Sequence, residues 1–175
     1  RGAVGFGTAA PWLAHAPSVD AATGAGISVT DEERDGVILP YYRELIRLRG
    51  QYPVISEGSY APYELDHERV FGYLREHIAK GTRTRLLVLN NFFGDETAVR
   101  VPAEFMPGEV LDAVAGSEDS RVPAEAQSAR VFLCNYKNPL SQVSGVSVSD
   151  PGKVEVTLRP YESLALIVEE PIASS

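Results

Sequence analysis

From Lys153 to Glu169 the chain reads KVEVTLRPYESLALIVE. Val154, Val156 and Leu158 alternate with Lys153, Glu155 and Thr157, which predicts a strand with one apolar and one wet face. Leu164 to Val168 is almost continuously apolar, the pattern of a strand covered on both faces. Between the two runs lies a tight Arg159-Pro160-Tyr161-Glu162 corner, where Pro160 fixes φ and removes a donor that a strand centre would need. This pattern predicts a closing hairpin, the last piece of an antiparallel sheet around which the rest is organised. No residue in it reads as chemical.

Upstream, the apolar period changes along the chain. Arg1 to Gly26 is rich in Gly, Ala and Pro and has no sustained period, which predicts a loop. Thr30-Asp31-Glu32-Glu33 reads as a helix start, with Thr30 or Asp31 as cap and the acids at the positive end of the dipole. The main helix is expected over roughly 36–49. Ile38, Tyr42, Leu45 and Ile46 share one face, Arg43, Glu44, Arg47 and Arg49 take the other, and Gly50 and Pro53 end it. Each large apolar residue buried on that face would contribute about 1.5–3 kcal/mol, so this helix needs a partner surface. From Val54 on the period is that of strands. They are expected over 54–60 running into 63–65, then 70–74, 85–93, 97–101, 108–115 and 129–136, ahead of the closing pair. Polar loops are expected over 79–84, 116–127 and 137–146. About eight short strands with turn signals between them predict a mainly β fold, an antiparallel Greek-key sandwich preceded by one loop and one amphipathic helix.

Composition narrows the function classes. A hydrophobic fraction of 44% over 175 residues suffices for a core, in one large or two small domains. The formal net charge of −8 argues against nucleic acid or an anionic membrane as partner and leaves neutral ligands such as sugars open. Cys134 is the single cysteine, so there is no internal disulfide, and a lone thiol in an apolar strand reads as inert core. No apolar run is long enough to span a bilayer and no signal-peptide pattern is present, so a cytoplasmic location is expected. The chain starts at Arg1 without an initiator Met and reads as a piece of a longer one.

The usual constellations of chemistry are not met. His15, His67 and His77 are far apart and have no partner at ligand spacing, so no metal and no cofactor are expected. No G-x-S-x-G elbow occurs, and Gly5-Phe6-Gly7 and Gly24-Ala25-Gly26 lack the Lys-Ser/Thr of a phosphate loop. Paired carboxylates would matter most, since glycoside hydrolysis needs two across a cleft. Glu32 and Glu33 fall in a helix start, Asp66 and Glu68 in a hairpin turn, and Asp95, Glu96, Glu118 and Asp119 in loops. Each is explained as a cap, turn former or solubilising charge, and no catalytic residue is assigned.

Several segments in order resemble one family. Val4-Gly5-Phe6-Gly7-Thr8 with Pro11-Trp12-Leu13 resembles the "AGFTTG-x-PW" loop of the α-glucosidase branch of the α-amylase superfamily, which includes oligo-1,6-glucosidases, dextran glucosidases, sucrose isomerases and trehalose synthases. Tyr41 to Arg49 resembles its "YY-(K/R)-x-LI-x-LR" helix, and Tyr52-Pro53-Val54 with Gly58-Ser59-Tyr60 its "x-P-V…G-x-Y". Val70 to Arg75 is similar to "IFAYLR", Leu86 to Phe92 to "LLVVLNF", and Leu158 to Ser163 to the terminal "LRPYEA". The resemblance implies the C-terminal end of such an enzyme. Residues 1–52 would be the loop and last helix of a truncated (β/α)8 barrel, and 53–175 a β domain packed behind it. The family's nucleophile, acid/base and stabilising carboxylates would all precede Arg1, so none carries over. The chain departs from the pattern after Trp12, reading Leu13-Ala14-His15-Ala16-Pro17-Ser18 where relatives often read V-N-P-N, which leaves substrate preference open.

Three readings follow. The chain is the inactive, barrel-stabilising end of a retaining α-glucosidase acting on short α-glucosides, with the barrel of the same parent chain as partner. Alternatively it is a carbohydrate-binding module using surface aromatics, with α-glucoside contact near Phe6 and Trp12. The third is a structural domain with no ligand.

Overall fold

The computed structural model describes residues 23–24, 29–34, 36, 38–65, 67–115, 128–140, 143–146 and 152–172. The expected loops over 1–26 and 116–127 lie mostly or wholly outside these residues. The chain divides into two compact units, Arg1–Leu48 and Arg49–Ser175.

In the first unit, α1 spans Val29–Arg34, so Thr30 and Asp31 sit inside the helix instead of capping it. Asp31 holds Arg34 one turn on, at 3.1 Å. The main helix, α2, runs over Ile38–Gln51, two residues later at each end than the periodicity predicts. Pro40 falls in its first turn, where its missing N–H breaks no helical bond. Gly50 lies inside α2, which stops only before Pro53. Ile38, Tyr42, Leu45 and Ile46 are exposed, whereas Leu48 is buried, so the predicted apolar face is present but largely uncovered.

The second unit opens with α3 (Pro53–Ser56), a single helical turn where a strand was expected from Val54. Pro53 sits at the helix start, and the Glu57 N–H donates to the Pro53 carbonyl. At Gly58 a Cβ would run into the Val54 carbonyl oxygen, so only glycine turns the chain here into β1 (Ser59–Tyr63). β2 (Val70–Ala79) and β3 (Thr82–Asn91) form a hairpin through Lys80 and Gly81. These two residues have φ of 50° and 74°, as a two-residue primed turn requires, so the loop expected over 79–84 is almost wholly strand. β4 (Thr97–Pro102) follows, then a 3-10 turn, Ala103–Phe105. Gly108–Ala115, read from sequence as a strand, is helix α4. Val110, Leu111 and Val114 recur at helical spacing, and the Pro107 carbonyl accepts from both Val110 and Leu111 to start the turn. β5 is Arg130–Cys134, and β6, Val143–Val146, lies where a polar loop was expected. β7 (Lys153–Leu158) and β8 (Ser163–Pro171) complete the strands.

The strands form the antiparallel sandwich, but the last two are not a hairpin. A five-stranded sheet has the order β1-β2-β3-β8-β5, and a three-stranded sheet has the order β4-β7-β6. β7 and β8 thus belong to different sheets, and the 159–162 corner carries the chain across the sandwich. The one-faced pattern of β7 and the two-faced pattern of β8 are both as predicted. Val154, Val156 and Leu158 face Leu87, Leu89, Leu164, Leu166 and Val168 across the main core. On the other side of β8, Ala165 and Ile167 join Leu86, Val88 and Val54 in a second cluster, edged by Tyr52, Ile55, Tyr73 and Phe132.

Leu166 is fully buried at the middle of this arrangement. Leu166→Ala is expected to lower unfolding free energy by about 2–5 kcal/mol, read from urea melts of the chain followed by circular dichroism. A loss below about 1 kcal/mol would contradict the burial assigned to β8.

Candidate functional site

Two features stand out in the second unit: the charged corner that links the sheets, and the outer face of the five-stranded sheet. At the corner, Glu162 is 3% exposed. Arg159 grips it twice, Nη2 to Oε1 at 2.7 Å and Nε to Oε2 at 3.0 Å, and the Arg159 backbone N–H donates to Oε2 at 2.8 Å. The Cys134 thiol donates to Oε1 at 3.2 Å. The guanidinium also donates to the Lys137 carbonyl and lies 4.2 Å from the Tyr136 ring centroid. Beside it, buried Asn91 donates to the carbonyls of Asp95 and Arg159 and accepts from the Phe93 N–H. Asn135 holds the Tyr161 carbonyl and the Ser163 N–H. Tyr161 itself adopts φ 55°, uncommon for a bulky residue, with its ring exposed.

These contacts decide what the corner can do chemically. Burial pushes the Glu162 carboxyl up, but the Arg159 side chain, the Arg159 backbone N–H and the Cys134 thiol together hold it below the ordinary glutamate value. A general acid needs the opposite shift, so Glu162 is a strut. Burial, chiefly, raises the Cys134 thiol to about 11, and the neighbouring carboxylate adds to it, so the thiolate is scarce at neutral pH. Sequence reasoning passed over Glu162. Its signal was one charge set between two apolar strands.

The acids singled out from sequence are dispersed. Glu33 pairs with Arg43, and Asp95 pairs with Arg69 at 3.0 Å. Glu68 and Glu96 are exposed. Asp66, Glu118, Asp119 and the side chain of Glu32 lie outside the description, as do Phe6, Trp12 and His15. His67 accepts from the Arg69 N–H, and His77 stands 3.7 Å from Glu57. Among the described residues no three His, Cys, Asp or Glu side chains cluster as metal ligands. None of their helices is long and apolar enough to cross a membrane.

The outer face of the five-stranded sheet is half sealed. Tyr52 meets Phe132 edge-on at 4.8 Å, Arg130 lies over both rings, and Val54 and Ile55 cover Leu86, Val88, Ala165 and Ile167. Towards β1 the covering stops. Tyr60, Tyr73 and Phe71 form a strip with ring centroids 5.6 and 5.9 Å apart. Tyr60 is 55% exposed and Phe71 46%. A groove of about 300 Å³ lies elsewhere, beside Tyr63, Glu64, His67, Arg100, Lys153 and Glu155, and its charges are of both signs.

The corner sets an acid limit on stability. Because the Glu162 value is lowered in the fold, its contribution is full above the unfolded value near 4.5 and fades as pH falls through the folded value. Glu162→Gln is expected to cost about 3 kcal/mol at pH 7, and to flatten the loss of unfolding free energy between pH 5 and 3, as read from urea melts across pH. An unchanged acid slope in the variant would show that other groups set it.

No family model matches the chain. Two relatives from Bacillus subtilis (strain 168), a trehalose-6-phosphate hydrolase and a probable oligo-1,6-glucosidase 2, are each 28% identical over 167 residues, which is 95% of this chain and 23% of theirs. A palatinase from Erwinia rhapontici is 27% identical over 129 residues, 74% of this chain and 17% of its own length. Among solved structures, an alpha-amylase from H. orenii superimposes with a TM-score of 0.51 at 19% identity, over 82% of this chain and 22% of that one, a likeness of fold. The chain therefore spans less than a quarter of the length of these relatives. These relatives are α-glucosidase-type glycoside hydrolases of the α-amylase family, and the chain's partial coverage of them fits a C-terminal piece.

Proposed function

We propose that the chain is the non-catalytic C-terminal portion of a retaining α-glucosidase that acts on short α-glucosides, and that it stabilises the catalytic barrel of that parent. Residues 1–52 are the loop and last helix of the barrel, and 53–175 the β domain behind it. The observation that carries this reading is the match over 95% of the chain to under a quarter of each Bacillus subtilis relative. Three features of the molecule support it. Ile38, Tyr42, Leu45 and Ile46 of α2 stand uncovered. The one deeply buried acid among the described residues is locked as a strut. The remaining described acids named above are surface charges. On this reading the chain contributes no catalytic residue. The exposed rings of Tyr60 and Phe71, with half-buried Tyr73 between them, favour a second reading, a sugar-binding face, because aromatic rings stack on sugars.

Purified alone, the 175-residue chain is expected to leave an aryl α-glucoside and isomaltose intact while the complete parent hydrolyses both. Removing 53–175 from the parent is expected to lower its Tm by several degrees, consistent with loss of a packed domain interface. Hydrolysis by the isolated chain would overturn the proposal. Saturable quenching of tyrosine fluorescence by maltooligosaccharides would favour the second reading.

A further inference from the structure

The corner between β7 and β8 holds a second oddity besides its buried acid. The Glu162 N–H donates to the Arg159 carbonyl at 3.1 Å and closes a four-residue turn, with Pro160 second and Tyr161 third. Tyr161 has φ 55°. A turn with proline second and positive φ third calls for glycine or asparagine at that third position, because a larger side chain is crowded there. Closing the corner demands the backbone conformation, but it does not demand a tyrosine. Burial does not offset the strain, since Tyr161 is 64% exposed. The ring lies against Gly94, where an added Cβ would come 3.2 Å from the Tyr161 hydroxyl. Glycine at 94 thus lets the ring rest on backbone while most of it stays in water.

Phe92, Phe93 and Tyr136 are also exposed at this end of the sandwich. The segments that carry them are fixed. The Tyr161 N–H donates to the Phe93 carbonyl at 3.0 Å, and the Phe93 N–H donates to the Asn91 side chain. Asn135 holds the Tyr161 carbonyl at 2.9 Å, and the Tyr136 hydroxyl donates to the Pro160 carbonyl at 2.7 Å. The cations among the rings are neutralised. Arg159, over Tyr136, grips Glu162, and Arg69, 5.6 Å from the Phe93 ring centroid, pairs with Asp95.

From this arrangement we propose that Tyr161, Phe92 and Phe93 form a stacking site for a short α-glucoside, with the exposed Asp95–Arg69 pair at its rim to meet hydroxyls. The class of sugar rests on the reading above. Three observations select this occupant. Open aromatic faces suit the C–H face of a pyranose ring. The paired charges leave no unmet cation to select an anion, yet the carboxylate and guanidinium beside Phe93 still offer acceptors and donors to a neutral polyol. The rings sit on segments already held by hydrogen bonds, so binding orders little that is free. Another protein is a poorer occupant, because a stable interface takes about 20–30 residues a side. A second copy also brings its own net charge of −8 against the first.

Titrating maltotetraose and isomaltotriose into the 175-residue chain, followed by amide NMR, tests the site. Saturable shifts are expected at 92–95 and 160–162 with at least one of the two sugars. Tyr161→Gly is expected to weaken Kd by at least about tenfold. The same change is expected to leave Tm level or higher, since glycine takes positive φ without strain. Phe92→Ala, at an exposed position, is expected to weaken Kd by at least about threefold. No saturation with either sugar overturns the proposal. So does binding that survives both variants, or that is lost in Tyr60→Ala instead, which places the sugar on the β1–β2 strip. A Tm lowered by more than about 2 °C in Tyr161→Gly overturns it as well, because the ring then serves the fold. Shifts at 92–95 that grow with chain concentration in the absence of sugar signal a second copy and overturn it too. A chain that binds sugar through Tyr161, from a parent that hydrolyses no α-glucoside, would sink the functional reading alone. An active parent whose 175-residue chain binds neither sugar would sink this inference alone.

Discussion

A two-sheet sandwich must carry its chain from one sheet to the other without leaving polar backbone buried and unpaired. At 159–162 the Glu162 carboxylate meets this demand. It accepts the Arg159 side chain and backbone N–H together, and so closes the corner on itself. Asn91 then ties the end of β3 to the same corner, and its own N–H donates to the Glu162 carbonyl. With the corner fixed, Leu158 and Leu164 face each other from opposite sheets, and the core between them has a set thickness. The exposed ring and positive φ of Tyr161 follow from the same closure, because the chain must reverse tightly between two anchored neighbours.

The strand patterns were legible where burial alone decides them. Alternation in Lys153 to Leu158 and the unbroken run of Leu164 to Val168 gave the right faces. What alternation cannot encode is the identity of the partner strand, so two adjacent strands read as a hairpin although they lie in different sheets. Short segments failed for a different reason. Gly108–Ala115 is eight residues of mixed period, and the pairing of Pro107 with Val110 and Leu111 that makes it helical is a backbone event. Val143–Val146 has four residues, one of them glycine, and is a strand because β7 offers it a ladder.

The site was legible in a more uneven way. The acids assigned to turns and surfaces are found there wherever they are described, whereas Cys134, expected in the core, is half-buried and donates to Glu162. Glu162 was missed because a charge beside proline and tyrosine looks like any turn residue until a partner strand buries it. The strip of Tyr60, Phe71 and half-buried Tyr73 could have been found from the period of β1 and β2, since tyrosine and phenylalanine on the outward positions of neighbouring strands converge on one surface. Family ancestry was legible from six short segments in a fixed order, a kind of information that no single element of the fold contains.

The position of β8 bears on how such a molecule is made. It follows every other described strand in sequence, yet it lies between β3 and β5 in its sheet. During synthesis the β1-β2-β3 meander can form as soon as it leaves the ribosome, while β5 waits without a neighbour. The inward rows of both sheets stay wet until β8 emerges and slots between them. While residues 92–162 are being made, the nascent chain thus carries uncovered apolar rows and an open edge on β3.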